Sequence, residues 1–85
     1  MCKVDVFVPE GHKFGVNLYK KNLQDVTVGG FKEELLKILT TPGYTKENVS
    51  LHAGGKPLDD DTAPLSKCGI KPDSTLQMVR KVHGG

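Results

Sequence analysis

The sequence predicts an α+β fold in which a mixed sheet of four to five strands packs on one α-helix. Three observations carry this. Two short runs with apolar residues at alternate positions open the chain, Val4 to Val8 and Phe14 to Tyr19. A single apolar stripe at three- and four-residue spacing follows, from Val28 to Leu39. Two more alternating runs, Val49 to Ala53 and Thr75 to Val79, come after it. A period of two marks a half-buried strand, and a period of 3.6 an amphipathic helix. At 85 residues there is material for one domain whose small core buries roughly 60% of the unfolded surface.

Each element has a local cause. In the first strand Val4, Val6 and Val8 share one face, with Asp5 and Phe7 on the other. Pro9 to Lys13 is a turn by composition, and Phe14, Val16 and Leu18 resume the inward face, so the chain opens with a hairpin. Thr27 is placed to cap a helix whose buried stripe is Val28, Phe31, Leu35, Ile38 and Leu39, with Lys32, Glu33, Glu34 and Lys37 filling the rest. Gly29 and Gly30 each weaken its first turn by about 1 kcal/mol relative to Ala, which predicts a ragged start. Pro42 ends it, because the residue before a proline avoids helical geometry. Tyr44 to Asn48 reads as a polar loop.

In the third strand Val49, Leu51 and Ala53 point inward, while Ser50 and His52 face out. Gly54-Gly55 supplies the positive-φ positions of a tight turn. Lys56 to Leu58 is a short strand that Pro57 confines to a sheet edge. Asp59-Asp60-Asp61 lacks the alternating ligands, central Gly and closing Glu of a calcium loop, so it reads as a solvated surface loop. One helical turn at Leu65 to Cys68 and a turn at Gly69 to Asp73 lead to the last strand, Thr75 to Val79, with Leu76 and Met78 inward and Val79 outward. The expected core is Val6, Val16, Leu18, Phe31, Leu35, Leu51, Leu65, Leu76 and Met78. Residues 1–79 form the domain; 80–85 are expected to be a flexible tail.

Composition excludes several functions. Twelve Lys+Arg against ten Asp+Glu give a net charge of +2, far from the concentrated positive charge that nucleic-acid binding requires. The opening residues reach a charge at Lys3, so no signal peptide or apolar anchor is expected, and the protein is expected in the cytoplasm or nucleus without membrane association. Cys2 and Cys68 lack C-x-x-C spacing, which points to reduced thiols, Cys68 as a packing residue, and no metal site. None of the three histidines has an evident nucleophile and orienting partner, so the chain is not expected to be an enzyme or to carry a cofactor.

The order hairpin, helix, two short strands, one-turn helix and final strand is that of the β-grasp fold. The run Leu51-His52-Ala53-Gly54-Gly55-Lys56-Pro57-Leu58-Asp59-Asp60, then Leu65-Ser66, then Ser74-Thr75-Leu76-Gln77-Met78-Val79, then Gly84-Gly85 resembles ubiquitin in order and nearly in spacing. The resemblance is close from Leu51 to Gly85, extends to Thr27 to Leu39, and is topological for residues 1–26. It places the chain among ubiquitin-like proteins.

That resemblance implies a set of roles. Gly85 would be the carboxylate that an activating enzyme adenylates and passes to a conjugating enzyme and then to a target amine, and Gly84 would give clearance in a narrow cleft. Arg80, Lys81 and His83 would be read by the activating enzyme. Lys81 stands where ubiquitin has an arginine, and it keeps the charge but loses bidentate hydrogen bonding. Arg80 replaces a leucine and His83 a second arginine, which points to a dedicated activating enzyme.

The partner-binding surface would comprise Phe7, His52, Gly55 and Val79. Ubiquitin's apolar docking patch combines an isoleucine, a valine and a leucine; here only Val79 remains. His52 takes the isoleucine position and the Pro9 to Lys13 turn has no leucine, so receptors distinct from ordinary ubiquitin receptors are expected, and a histidine can charge near pH 6–7. Lys56 matches a chain-forming lysine and is the candidate acceptor. Lys32 matches a half-buried helix lysine that pairs with the acidic loop, with Asp60 or Asp61 as its partner. A monomer is expected.

Three functions follow from different classes: a covalent modifier joined through Gly85, a non-conjugated adaptor domain that binds protein partners, and a β-grasp sulfur carrier ending as a thiocarboxylate.

Overall fold

Thr27 begins the helix by accepting, through its hydroxyl, the N–H of Gly30 at 3.0 Å. The structure is a computed structural model that describes residues 3–18, 22–40 and 42–81. β1 (Lys3–Phe7) and β2 (Lys13–Asn17) form the expected antiparallel hairpin. α1 (Val28–Ile38), β3 (Val49–Ala53), β4 (Lys56–Pro57), a one-turn 3-10 helix (Leu65–Cys68) and β5 (Thr75–Arg80) follow. The sheet order is β2-β1-β5-β3-β4. β5 therefore lies centrally, parallel to β1 and antiparallel to β3. This is the β-grasp arrangement, an α+β fold.

All nine expected core residues are buried, joined by Val4, Val8, Val26, Val28, Leu39, Val49, Leu58 and Ile70. The Gly54-Gly55 turn has φ of 57° and 82°, as its β3–β4 hairpin requires, and β4 with Pro57 lies at the sheet edge.

Several expectations are corrected. Ile38 is 42% exposed rather than part of the buried stripe. It is the last helical residue and, at about 100° per residue, lies about 60° outside the arc defined by Val28, Leu35 and Leu39. Lys32 lies closer, about 20° beyond Leu39 on the opposite side of that arc, and is buried, its ammonium 3.0 Å from Asp61 Oδ1. Of the two candidate acids, Asp61 is therefore the partner.

The helix start is ordered rather than ragged. The N–H groups of Val28 and Gly29 donate to the carbonyls of Ala63 and Asp61, each at 2.9 Å, so the amides that a helix leaves unpaired at its first turn find acceptors in the acidic loop. Gly29 permits this approach: a Cβ there would stand 3.1 Å from the Asp61 carbonyl oxygen.

Ser50 faces outward but is buried, with Oγ 3.3 Å from His52 Nε2. Ile70, placed in a turn by its neighbours, is buried because Gly69 adopts a left-handed φ of 78° and returns the chain to the core. β5 runs one residue beyond the expected domain boundary at Val79: Arg80 is in the strand, and the Lys81 N–H donates to the Asn48 carbonyl at 2.6 Å. Cys2, Tyr19 and Thr41 lie outside the described residues.

Candidate functional site

The outer sheet face is assembled by register. Phe7 lies beside Lys13 on β2 and Gln77 on β5; Gln77 lies beside His52 on β3, and His52 beside Pro57 on β4. Lys13, Phe7, Gln77, His52 and Pro57 thus form one row across all five strands. Val79 stands two residues along β5 from Gln77, opposite Ser50.

Phe7 and Val79 are 43% and 45% exposed, large apolar side chains on a solvent face, while His52 is half-buried. Three of the four predicted surface residues, Phe7, His52 and Val79, therefore share one face, and Gly55 stands at the tip of the adjoining β3–β4 turn. Gln77 and Pro57 belong to the row and were missed, although the outward phase of their strands carries the signal.

Charge frames this face on one side. Lys13 Nζ lies 5.9 Å from the centre of the Phe7 ring, a cation–π distance. Asp5, half-buried between Lys3 and Lys13, stands 3.7 Å and 4.0 Å from their ammonium groups. Lys56 is exposed on the edge strand. Cys68 is half-buried, its Sγ donating to the Pro64 carbonyl at 3.5 Å, as suits a packing residue.

A second cluster surrounds the approach to the chain end. Arg80 continues the inward face of β5 after Leu76 and Met78, opposite Val49, and its guanidinium carbon lies 5.9 Å from the centre of the Tyr44 ring, a cation–π distance. The Tyr44 hydroxyl donates to Glu10 Oε2 at 2.7 Å. That bond holds the Glu10 carboxyl below its ordinary value and pushes the Tyr44 phenol above its own. Tyr44, read as part of a polar loop, thus joins the β1–β2 turn to the end of β5; an aromatic among polar loop residues was the only signal. Arg80 and Lys81 are exposed. His83, Gly84 and Gly85 lie outside the described residues.

Among the described residues no group of three or more His, Cys, Asp or Glu side chains could hold a metal ion, and no helix is long and apolar enough to cross a membrane.

Solved structures similar to this one include ubiquitin-like proteins. A computationally designed protein based on the template of human erythrocytic ubiquitin superposes with a TM-score of 0.78 at 28% identity, over 100% of this chain and 98% of that one. The fold is ubiquitin-like. The ubiquitin-like domain of an Arabidopsis thaliana protein has the same fold, with a TM-score of 0.78 at 24% identity over 96% of this chain and 79% of that chain. No protein-family model and no curated protein matches the sequence. In this ubiquitin-like fold the surface that the resemblance assigns to partners carries polar side chains beside its apolar ones, with Gln77 flanked by Phe7 and His52 and Val79 two residues further along β5.

Proposed function

We propose that this chain is a protein modifier, activated at the Gly85 carboxylate and joined to target amines by an isopeptide bond. The observation that carries the reading is the Gly84-Gly85 pair, which follows the central strand of a ubiquitin-like fold with only four residues between Arg80 and Gly85. The chemistry asks little of the domain. The Gly85 carboxylate would attack the α-phosphorus of ATP and release pyrophosphate. A cysteine thiolate of the activating enzyme would then displace AMP to give a thioester, and transfer to a second enzyme and an amine would follow. The partners are activating and conjugating enzymes and target proteins; the chain itself is substrate, not enzyme.

A second reading, a non-conjugated adaptor, is favoured by the outer face, where exposed Phe7 and Val79 flank His52 and Gln77. Exposed aromatics are enriched at binding sites.

Incubation with lysate of the source organism, ATP and magnesium separates these readings. A modifier yields an adduct that thiol reductant removes, then reductant-resistant conjugates of higher mass. A thiocarboxylate mass at Gly85 without conjugates selects the sulfur carrier. Absence of every adduct selects the adaptor.

A further inference from the structure

The turn between β1 and β2 and the loop that enters β3 are held in different ways. Pro9, Glu10, Gly11 and His12 are all exposed. Two backbone bonds close the turn at its base: the Val8 N–H donates to the His12 carbonyl and the Gly11 N–H to the Val8 carbonyl, each at 2.9 Å, with Gly11 at a left-handed φ of 93°. Among the described residues, the side-chain hydrogen bond that ties residues 9–12 to another segment is the one from the Tyr44 hydroxyl to Glu10 Oε2, at 2.7 Å. The loop carrying Tyr44 is fastened independently, through Asn48. Its side-chain amide donates to the Gly43 carbonyl at 2.6 Å, its Oδ1 accepts the Thr45 N–H at 2.8 Å, its own N–H donates to Thr45 Oγ1 at 3.2 Å, and its carbonyl accepts the Lys81 N–H at 2.6 Å.

We infer that the β1–β2 turn is a strap with a closed and an open position, latched closed by the bond from Tyr44 to Glu10, and that the 43–48 loop is its fixed post. When the bond breaks, the turn is free to swing on its base, while Asn48 keeps the loop in place. The strap joins the strand ends at Phe7 and Lys13, which belong to the row across the outer face. Closed, it orders the rim of that face before a partner arrives, so less freedom is lost on binding. The inference is independent of whether Gly85 is conjugated.

The latch has a chemical condition. It needs the phenol protonated, and it is strongest while the carboxyl is charged. Both groups shift as this requires: the bond from Tyr44, followed by Glu10's own N–H, holds the Glu10 carboxyl below its ordinary value, and the bond to Glu10 pushes the Tyr44 phenol above its own. The other charged groups beside the pair are His12 of the same turn, which also lowers Glu10, and Arg80 of β5, which opposes the rise of Tyr44. Because the Glu10 value is depressed in the closed state, the latch is at full strength above the ordinary value and is lost as the pH falls through the closed-state one.

The test is amide hydrogen exchange, read by NMR on the full chain. Tyr44→Phe removes the donor and keeps the ring. It is expected to speed exchange at Gly11 about threefold to tenfold, the weight of one hydrogen bond, with Thr45 and Val6 unchanged. Glu10→Gln keeps an acceptor without the charge, and is expected to give a smaller rise. As the pH falls from about 5 to about 2, the wild-type Gly11 rate, corrected for intrinsic exchange, is expected to rise to that of Tyr44→Phe, whose corrected rate stays flat. Unchanged exchange at Gly11 in folded Tyr44→Phe overturns the strap. Acceleration that extends to Thr45, or to Val6 in β1, also overturns it, because the bond would then hold the loop or the whole domain rather than the turn.

Discussion

At the residue scale, His52 is expected to set what the outer face can bind. It is half-buried in the row between Gln77 and Pro57, with its Nε2 toward Ser50, so the centre of the face offers an imidazole where an aliphatic side chain would offer apolar area. Burying an isoleucine at an interface contributes about 1.5–3 kcal/mol. His52→Ile is therefore expected to strengthen binding of a helical ubiquitin-binding motif by about tenfold or more, at 1.4 kcal/mol per factor of ten. Calorimetric titration of both proteins checks this, and equal affinities would remove His52 as the discriminating residue. The outward position of His52 was legible from strand alternation alone. Its bond with Ser50 was not, because alternation gives the face of a side chain but not how far its neighbours cover it.

At the scale of elements, the acidic loop organises the start of α1. Asp61 supplies a carbonyl to Gly29 and a carboxylate to Lys32, and the loop is itself folded by Asp60. The Asp60 Oδ1 accepts from the Thr62 hydroxyl at 2.6 Å and from the Thr62 N–H at 3.0 Å. These bonds, the hydroxyl first, hold the Asp60 carboxyl below its ordinary value. A carboxyl depressed in the folded state adds stability that is present above its unfolded value, near 3.9, and is lost as pH falls through the folded value. The urea midpoint of the wild type is thus expected to fall more steeply than that of Asp60→Asn between about pH 4 and about pH 2. Parallel slopes would mean that the loop does not depend on the charged form.

The three aspartates lie in a surface loop, as the sequence predicts, with Asp59 and Asp60 exposed. The sequence could not show that the carbonyls of Asp61 and Ala63 in this loop complete a helix more than thirty positions earlier. The expectation of a ragged helix start failed for that reason, since local propensity counts the cost of two glycines but not the acceptors that a distant loop brings to them. Lys32 shows the converse case: its burial and its acidic partner came from resemblance, whereas its helical phase alone sets it about 20° from Leu39, at the edge of the apolar stripe.

For the whole molecule, the topology separates what holds the domain together from what it presents. Period-two and period-3.6 patterns made the elements, their order and all nine expected core residues legible, because each strand buries one face and the helix one stripe. The cluster of Glu10, Tyr44 and Arg80 was not legible, since it joins three segments that only the closed sheet brings together. Every residue of the described core lies between Val4 and Met78, and the central strand supplies two of them. Leu76, fully buried on β5 between β1 and β3, anchors both halves of the sheet. Leu76→Ala is therefore expected to cost about 2–5 kcal/mol, the loss of transfer energy plus the cavity it leaves. Gly84 and Gly85 carry no side chain to bury, so deleting them is expected to leave the urea midpoint unchanged while abolishing thioester formation. Measuring both on the same two proteins separates stability from reactivity. If deletion lowered the midpoint as far as Leu76→Ala does, the chain end would be part of the folded domain rather than a segment it presents.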